Sequence, residues 1–262
     1  MARYLLQTDS EGLDIEYMLI EEKLKRNKYI HKYKCTDTVS LSWVAEKDDV
    51  PIGDIKFVTK FLSIAHGIER ENPIEIPEYL RTEEFLKRDY SIVTWDKLPE
   101  KGNWFIKDVS QLKVFGEVLN LEYNDIKSWF DTPKNSFNTS LVLDKTHLFQ
   151  VSSVFNIKSE YRVYVIDGEI ECISNYNGDC TLLPDINLIK KAVTIINCNE
   201  KWLKSYTIDV MVGPKGTAII EVHNFASVGL YSTLWGDNLI YAYRDGIDYL
   251  THDNRELKGW VK

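Results

Sequence analysis

The chain has 262 residues, 44% of them hydrophobic and 27% charged, which is enough for one large or two modest domains with buried cores. Its net charge of −8 argues against a broad nucleic-acid-binding surface, which needs clustered excess lysine and arginine. The sequence shows no membrane helix, no signal peptide and no CxxC pair among its four cysteines. We therefore expect a cytoplasmic protein with reduced thiols and no membrane partner.

The N-terminal part alternates strand and helix patterns. Residues 2–7 predict a strand, 11–25 an amphipathic helix and 39–44 a second strand. A Pro-Ile-Gly-Asp turn then introduces a second helix over 55–66. This order predicts a small α/β layer, and we expect it to form a domain of residues 1–78.

Two lysines stand out in the middle of the chain. Lys107 lies in the apolar strand 104–108, and Lys113 follows six residues later. A lysine among apolar residues needs an anion, because desolvating the ammonium is otherwise costly. Two such lysines suit a triphosphate. The alternative is a local ion pair with Asp108 or Glu117, and the spacing leaves it open.

Further along, residues 167–168 are an Asp-Gly turn between two alternating strands. Glu160 and Arg162 project from one face of the first strand, and Ser174 or Tyr176 can lie beside them on the return strand. The planar fork of an arginine binds two oxygens of a phosphate or carboxylate at once. A cross-strand Glu–Arg pair without a ligand is the alternative.

Residues 206–222 predict a β-hairpin around a Gly-Pro-Lys-Gly turn. Asp209 and Glu221 interrupt runs that otherwise look buried, and His223 and Asn224 follow at once. Two carboxylates and a neutral donor on adjacent strands suit Mg²⁺ that carries substrate phosphates. The alternative is a hairpin whose acids face solvent or pair with a lysine.

Four stretches carry a family resemblance: FIKDVSQLKVFG (105–116), EYRVYVIDGEI (160–170), YTIDVMV (206–212) and IIEVHNFASVGLY (219–231). In this order they resemble the ATP-grasp superfamily, and more narrowly its R-two-K clade, whose members are common in phage genomes. The resemblance implies an α+β ATP-grasp fold, with two α+β subdomains gripping a nucleotide, after a pre-ATP-grasp domain. We expect the ATP-grasp domain over 79–262, with subdomains at about 104–150 and 151–262.

The resemblance also implies the site residues. Arg162 matches the residue that contacts the transferring phosphate and the acyl group. The positions implied for ATP are Lys107, Lys113, Gln150, Val151 and Glu160. The positions implied for Mg²⁺ are Asp209, Glu221, His223 and Asn224. The positions that would line the acceptor side are Tyr176, Ser227 and Tyr231.

The chain departs from the family pattern twice. Lys107 stands where family members typically have arginine, which keeps the charge but loses the bidentate geometry. The usual metal motif is E-x-N, whereas this chain reads Glu221-Val222-His223-Asn224, so His223 occupies the asparagine position. Mg²⁺ prefers oxygen ligands. Either Asn224 takes over, or His223 binds the metal, or metal binding is altered.

The implied activity is an ATP-dependent carboxylate–amine ligase that acts through an acyl phosphate, with a small molecule, peptide or protein as amine acceptor. One alternative is a nucleotide-binding phage effector without turnover, which binds a host protein or sequesters a nucleotide in the host cytoplasm. Another is a covalent nucleotidyltransferase with Lys107 as nucleophile. Those enzymes resemble a K-x-D-G pattern, whereas this chain reads Lys-Asp-Val-Ser at 107–110.

Overall fold

The computed structural model of the chain describes residues 2–9, 12–26, 32–68, 75–109, 116–122, 147–231, 236 and 238–252. Lys113 and the short strand expected at 141–143 lie outside these residues. Three sheets organise the described part of the chain, and we call them the N-terminal, middle and C-terminal sheets. The predicted division between residues 78 and 79 falls between the first two sheets and stays a prediction.

The N-terminal sheet has three parallel strands in the order β2-β1-β3. Parallel neighbours need a crossover connection, and helices supply it here. The elements of this layer are β1 (Tyr4–Gln7), α1 (Ile15–Arg26), β2 (Tyr33–Thr36), α2 (Leu41–Val44), β3 (Val50–Ile52) and α3 (Ile55–His66). Helix α3 begins after the Asp54 cap, whose carboxylate accepts a hydrogen bond from the Phe57 N–H, and it has the predicted bounds.

The strand predicted at 39–44 was wrong. Residues 41–44 form the short helix α2 instead, and the second strand is Tyr33–Thr36. The cause is a local turn, since the Asp37 carboxylate accepts hydrogen bonds from the backbone N–H groups of Val39 and Ser40. Such side-chain bonds compete with a strand ladder, and they turn the chain before it can extend.

The middle sheet is antiparallel, in the order β4-β7-β5-β6. Its strands are β4 (Tyr90–Thr94), β5 (Asn103–Asp108), β6 (Gly116–Asn120) and β7 (Leu148–Ser153). One face buries Ile106, Phe149 and Val151 in a small core. Side chains alternate between the faces of a strand, so Lys107 and its register partner Gln150 lie on the other face.

The C-terminal sheet is also antiparallel, in the order β11-β10-β8-β9. Its strands are β8 (Ser159–Ile166), β9 (Glu169–Gly178), β10 (Tyr206–Gly213) and β11 (Gly216–Asn224). The turn between β8 and β9 has positive φ at both Asp167 and Gly168, the geometry that favours an Asp-Gly pair. Helix α5 (Ile186–Asn199) covers one face and buries Val163, Ile208, Val210 and Val222 of the sheet.

A larger core joins the N-terminal sheet to the other face of the C-terminal sheet. Tyr164 of β8 packs there with Leu5 of β1 and Phe61 of α3. Helix α6 (Leu239–Thr251) contacts β3 and a 3-10 helix at Phe225–Ser227. Arg162 lies two residues before Tyr164 on the regular strand β8, so it shares this face and borders the N-terminal layer.

Shorter elements complete the described chain. They are the 3-10 helices Glu78–Leu80 and Trp95–Lys97 and the helix α4 (Glu83–Leu86). Cys35, Cys172, Cys180 and Cys198 are free cysteines. Within the described residues, none of the helices has the length and apolar character needed to cross a bilayer.

Candidate functional site

Three neighbouring strands carry charged side chains at the same level. Arg162 of β8, Asp209 of β10 and Glu221 of β11 are register partners across the C-terminal sheet. Arg162 Nε and Nη2 donate to the two Asp209 carboxylate oxygens, each at 2.7 Å. The Arg162 side chain is 13% exposed and that of Asp209 5%. Two parallel bonds between planar groups fix both side chains in place.

A bulge in β11 sets the direction of Glu221. Asp209 pairs with Glu221 but the next residue, Val210, pairs with Ile219, so Ile220 is an extra residue. Without it, Glu221 would share the face of Ile219, which is buried against α5. The bulge therefore moves Glu221 from the apolar face to the face of Asp209.

A second ion pair crosses from the middle sheet to the C-terminal sheet. Lys107 Nζ donates to Glu221 Oε2 at 2.8 Å, and both side chains are about nine-tenths buried. Glu221 thus lies beside Asp209 in its own sheet and in contact with Lys107 of the other sheet. Two acids and two cations form one row, which we call the charged row: Arg162, Asp209, Glu221 and Lys107.

Burial and charge act in opposite directions on Arg162. Burial lowers the pKa of the guanidinium, but the hydrogen bonds and the negative charge of Asp209 raise it, and the net pKa is well above its usual value. Arg162 is therefore charged in the folded protein. Three of its five N–H donors have partners, because Nη1 also donates to Gly229 O at 3.2 Å.

Gln150 and Val151 point to opposite sides of β7. The Val151 side chain packs in the core of the middle sheet, away from the charged row. Gln150 lies on the face of Lys107 and is 3% exposed. Its Oε1 atom is buried and has no hydrogen-bond donor among the described residues. A buried acceptor of this kind fits a ligand that donates a hydrogen bond.

Aromatic side chains cover one end of the charged row. Tyr176 is the extra residue of a bulge in β9, and its hydroxyl donates to Glu160 Oε2 at 2.8 Å. The rings of Tyr176 and Tyr231 stack at 5.0 Å, and the Arg162 guanidinium lies 4.8 Å from the Tyr231 ring centre. Burial raises the pKa of Tyr176, and so do the Asp209 charge and the Glu160 hydrogen bond. Its hydroxyl is protonated at neutral pH.

His223 and Asn224 also lie on opposite faces of their strand. His223 is two residues after Glu221, opposite Thr207, and shares its face. The Asn224 side chain accepts a hydrogen bond from the Ala226 N–H and caps the 3-10 helix at 225–227. Ser227 lies in that helix, and no hydrogen bond of its side chain to the charged row occurs among the described residues.

The segment 229–231 is tied to this site by contacts that the sequence reading did not predict. Tyr164 OH donates to Gly229 O at 3.0 Å and accepts from the Tyr231 N–H at 2.9 Å. Glu16 of α1 accepts from the Leu230 N–H at 3.0 Å. Tyr164 could have been found by alternation from Arg162. Glu16 gives no signal in the sequence, because it resembles the other acids on its helix.

The carboxylates of the charged row fit one kind of Mg²⁺ site. Among the described residues, no group of three or more His, Cys, Asp or Glu side chains forms a metal site. Asp209 and Glu221 nevertheless face each other as strand partners. Mg²⁺ is often held by one or two carboxylates, with phosphate oxygens and water completing the shell. Two carboxylates beside two cations suit a metal that arrives with a polyphosphate, rather than a closed protein site.

The middle and C-terminal sheets are antiparallel and face each other across the charged row, and the C-terminal sheet is joined to a parallel N-terminal layer. This arrangement defines an ATP-grasp fold. The sequence matches a family of ATP-grasp domains, the second family of the R-two-K clade, over residues 85–237, more than half of the chain. The chain belongs to this family, as the resemblance predicted. No curated protein is detectably similar to the chain in sequence.

Several solved structures share the fold. D-cycloserine synthetase DcsG aligns with 95% of this chain and 100% of its own, at a TM-score of 0.56 and 11% identity. D-alanyl-alanine synthetase A from Vibrio cholerae aligns with 95% of this chain and 97% of its own, at a TM-score of 0.54 and 11% identity. A third structure is a Chryseobacterium gregarium RiPP-associated ATP-grasp ligase in complex with ADP and a leader and core peptide. It aligns with 94% of this chain and 96% of its own, at a TM-score of 0.50 and 10% identity. At these identities the likeness shows the α+β ATP-grasp fold, which confirms the predicted fold class.

Proposed function

We propose that the protein is an ATP-dependent carboxylate–amine ligase that works through an acyl phosphate and uses Mg²⁺. The observation that carries this proposal is the charged row. It places two cations and two carboxylates side by side between two sheets, largely buried. A purely structural role would not explain four buried charges, because the desolvation of each one costs free energy.

The cations of the row suit the phosphates of ATP. Lys107 reaches the row from the middle sheet, and we assign it, with Lys113, to the triphosphate. Arg162 keeps two N–H donors beyond its described partners, and they would contact the transferring phosphate and the acyl oxygen. Phosphoryl transfer needs mainly positioning and charge neutralisation, which fixed cations provide.

The carboxylates of the row suit the metal. We assign Asp209 and Glu221 as Mg²⁺ ligands, with His223 as the further candidate because it shares their face. Asn224 is the weaker candidate, since its side chain already caps a helix. Bound Mg²⁺ would neutralise charge that develops on the phosphate oxygens. Gln150 would accept a hydrogen bond from the amino group of adenine, which would supply the donor that its Oε1 lacks.

The reaction needs no protein nucleophile. A substrate carboxylate oxygen would attack the γ-phosphorus, the bond to the β-phosphate oxygen would break, and ADP would leave. An amine would then attack the acyl carbon, form an amide and release phosphate and a proton. Tyr176, Ser227 and Tyr231 are the proposed lining of the acceptor side. The solved relatives include a D-alanyl-alanine synthetase and a peptide-bound ligase, which supports amide formation on a small molecule or peptide.

Calorimetry of ATP binding, with and without Mg²⁺, tests the proposal when ADP is followed in the same samples. We expect Mg²⁺-dependent binding with slow ADP formation, which a carboxylate and an amine accelerate. A protein that binds no ATP under either condition would contradict both the assigned roles and the activity.

One observation favours a second candidate, a nucleotide-binding protein without turnover. His223 occupies the position on the Glu221 face where the family pattern has asparagine, so a nitrogen donor replaces an oxygen donor. This candidate predicts ATP binding without ADP formation in the wild type and measurable ADP formation in His223→Asn. Under the ligase proposal, the wild type already forms ADP, and His223→Asn changes only the rate at which ADP forms.

A further inference from the structure

A small polar space lies above the backbone of Gly229. A methyl group built there would be 3.8 Å from Arg162 Nη1, 3.8 Å from Glu16 Oε2 and 3.9 Å from the Tyr231 hydroxyl. A guanidinium, a carboxylate and a phenol therefore border one space in which a methyl group meets only ordinary contacts. Because Arg162 Nη1 and Glu16 Oε2 both lie 3.8 Å from the same point, these two atoms are no more than about twice that distance apart.

Glu16 is the unexpected member of this group. It belongs to the first turn of α1 in the N-terminal layer, outside residues 85–237 that match the family. Among the described residues, its carboxylate accepts one hydrogen bond, from the Leu230 N–H. Burial raises its pKa, while the Leu230 hydrogen bond and the Arg162 charge oppose the rise. A carboxylate half removed from water with one bonded oxygen has capacity for a further donor.

We infer that Glu16 binds the ammonium group of the substrate whose carboxylate lies at Arg162. The substrate class is then a free amino acid with an unblocked amino group. The inference rests on the proposed ligase activity and narrows its substrate. A positive and a negative side chain that border one small space match the two ends of a zwitterion, and a separation of no more than about twice their 3.8 Å contacts fits a small one.

Glu16 has a second possible role, as an anchor for the segment 229–231. Glutamine separates the two roles. It retains an oxygen that accepts from the Leu230 N–H, but it carries no charge for an ammonium. Gly229→Ala provides an independent variant, because the added methyl group fits sterically yet fills the space where the substrate would lie.

The test traps the acyl phosphate with hydroxylamine. The carboxylate takes the γ-phosphoryl group and releases ADP, and the hydroxylamine nitrogen then attacks the acyl carbon. Phosphate leaves, and a hydroxamate forms that is measured by its iron(III) colour. Free amino acids and their N-acetyl derivatives are compared as carboxylates, with ATP and Mg²⁺. We expect the wild type to prefer the best free amino acid by about tenfold or more over its N-acetyl form.

Glu16→Gln should abolish this preference, and Gly229→Ala should reduce the rate with the free amino acid by about tenfold or more, while both melt close to the wild type. Glu22→Gln is the matched control, because Glu22 is an exposed acid on the same helix. It should keep the preference. Equal rates with blocked and free substrates, no hydroxamate from any amino acid, or an unchanged preference in Glu16→Gln would overturn the inference.

The ligase proposal has its own failure in this experiment. If the wild type binds no ATP, the proposed function fails before the substrate question arises. If ATP binds and N-acetyl or other carboxylates form hydroxamate as well as free amino acids do, the ligase stands and the role of Glu16 falls. A large change in ATP affinity in Glu16→Gln would also contradict the inference, because the carboxylate would then act on the nucleotide.

Discussion

The two ion pairs of the charged row differ in what holds them. Arg162 and Asp209 are strand neighbours in one sheet, and two hydrogen bonds join their planar groups. Lys107 and Glu221 belong to different sheets, and one hydrogen bond joins them. The first pair is fixed by strand register. The second depends on how closely the middle and C-terminal sheets approach, so it reports on the gap in which a nucleotide would bind.

The largest expected effect comes from Asp209→Ala. It leaves the Arg162 guanidinium buried without its carboxylate, and we expect the free energy of unfolding to fall by about 3–5 kcal/mol. Urea denaturation measures it. Glu169→Ala is the control, because this exposed acid lies at the edge of the same sheet and should change stability by less than about 0.5 kcal/mol. A loss below about 1 kcal/mol in Asp209→Ala would mean that the pair is not fixed as described.

Glu221→Ala should cost less, about 1–3 kcal/mol in the same measurement, because the Lys107 stem is flexible and its ammonium can turn toward water. The coupling energy from a double-mutant cycle sharpens the comparison. Coupling between Arg162 and Asp209 should exceed that between Lys107 and Glu221. The reverse order would contradict the comparison, because the contact between the sheets would then be the stronger one.

The smallest effect concerns the pH dependence of stability through Glu16. Burial raises its pKa in the folded protein above the usual value of 4.5, so between the two pKa values the folded state binds more protons than the unfolded chain. The stability that depends on this proton is fully present below pH 4.5, and it is lost as pH rises through the folded pKa. Glu16→Gln should remove that slope in urea denaturation from pH 4 upward. Identical slopes in both proteins would contradict the assigned burial.

Much of this fold could be predicted from local patterns. The Asp54 cap and the apolar face of α3 gave its bounds, and the Asp-Gly turn at 167–168 placed the β8–β9 hairpin. Asp209 and Glu221 were predicted on one hairpin, and the structure makes them strand partners. The strand expected at 39–44 failed because the Asp37 carboxylate binds the backbone N–H groups of Val39 and Ser40 and turns the chain there.

The rest of the site depends on distant parts of the chain. The bulge at Ile220 turns Glu221 away from the apolar face, and no turn residue in the sequence marks it. Glu16 reaches the site only because the N-terminal layer packs beside Tyr164. Contacts between residues more than two hundred positions apart, such as Glu16 and Leu230, have no local pattern in the sequence.

The central claim is that the charged row binds ATP together with Mg²⁺. The most direct test measures how much Mg²⁺ changes the affinity for ATP in the wild type and in one variant. Calorimetry compares the wild type with Asp209→Asn, in Mg²⁺ and in a chelator. Asparagine keeps the shape and one acceptor oxygen but loses the charge that a metal needs. We predict that Mg²⁺ tightens ATP binding about tenfold or more in the wild type and has little effect in Asp209→Asn. An equal affinity with and without Mg²⁺ in the wild type, or an undiminished Mg²⁺ effect in the variant, would contradict the account.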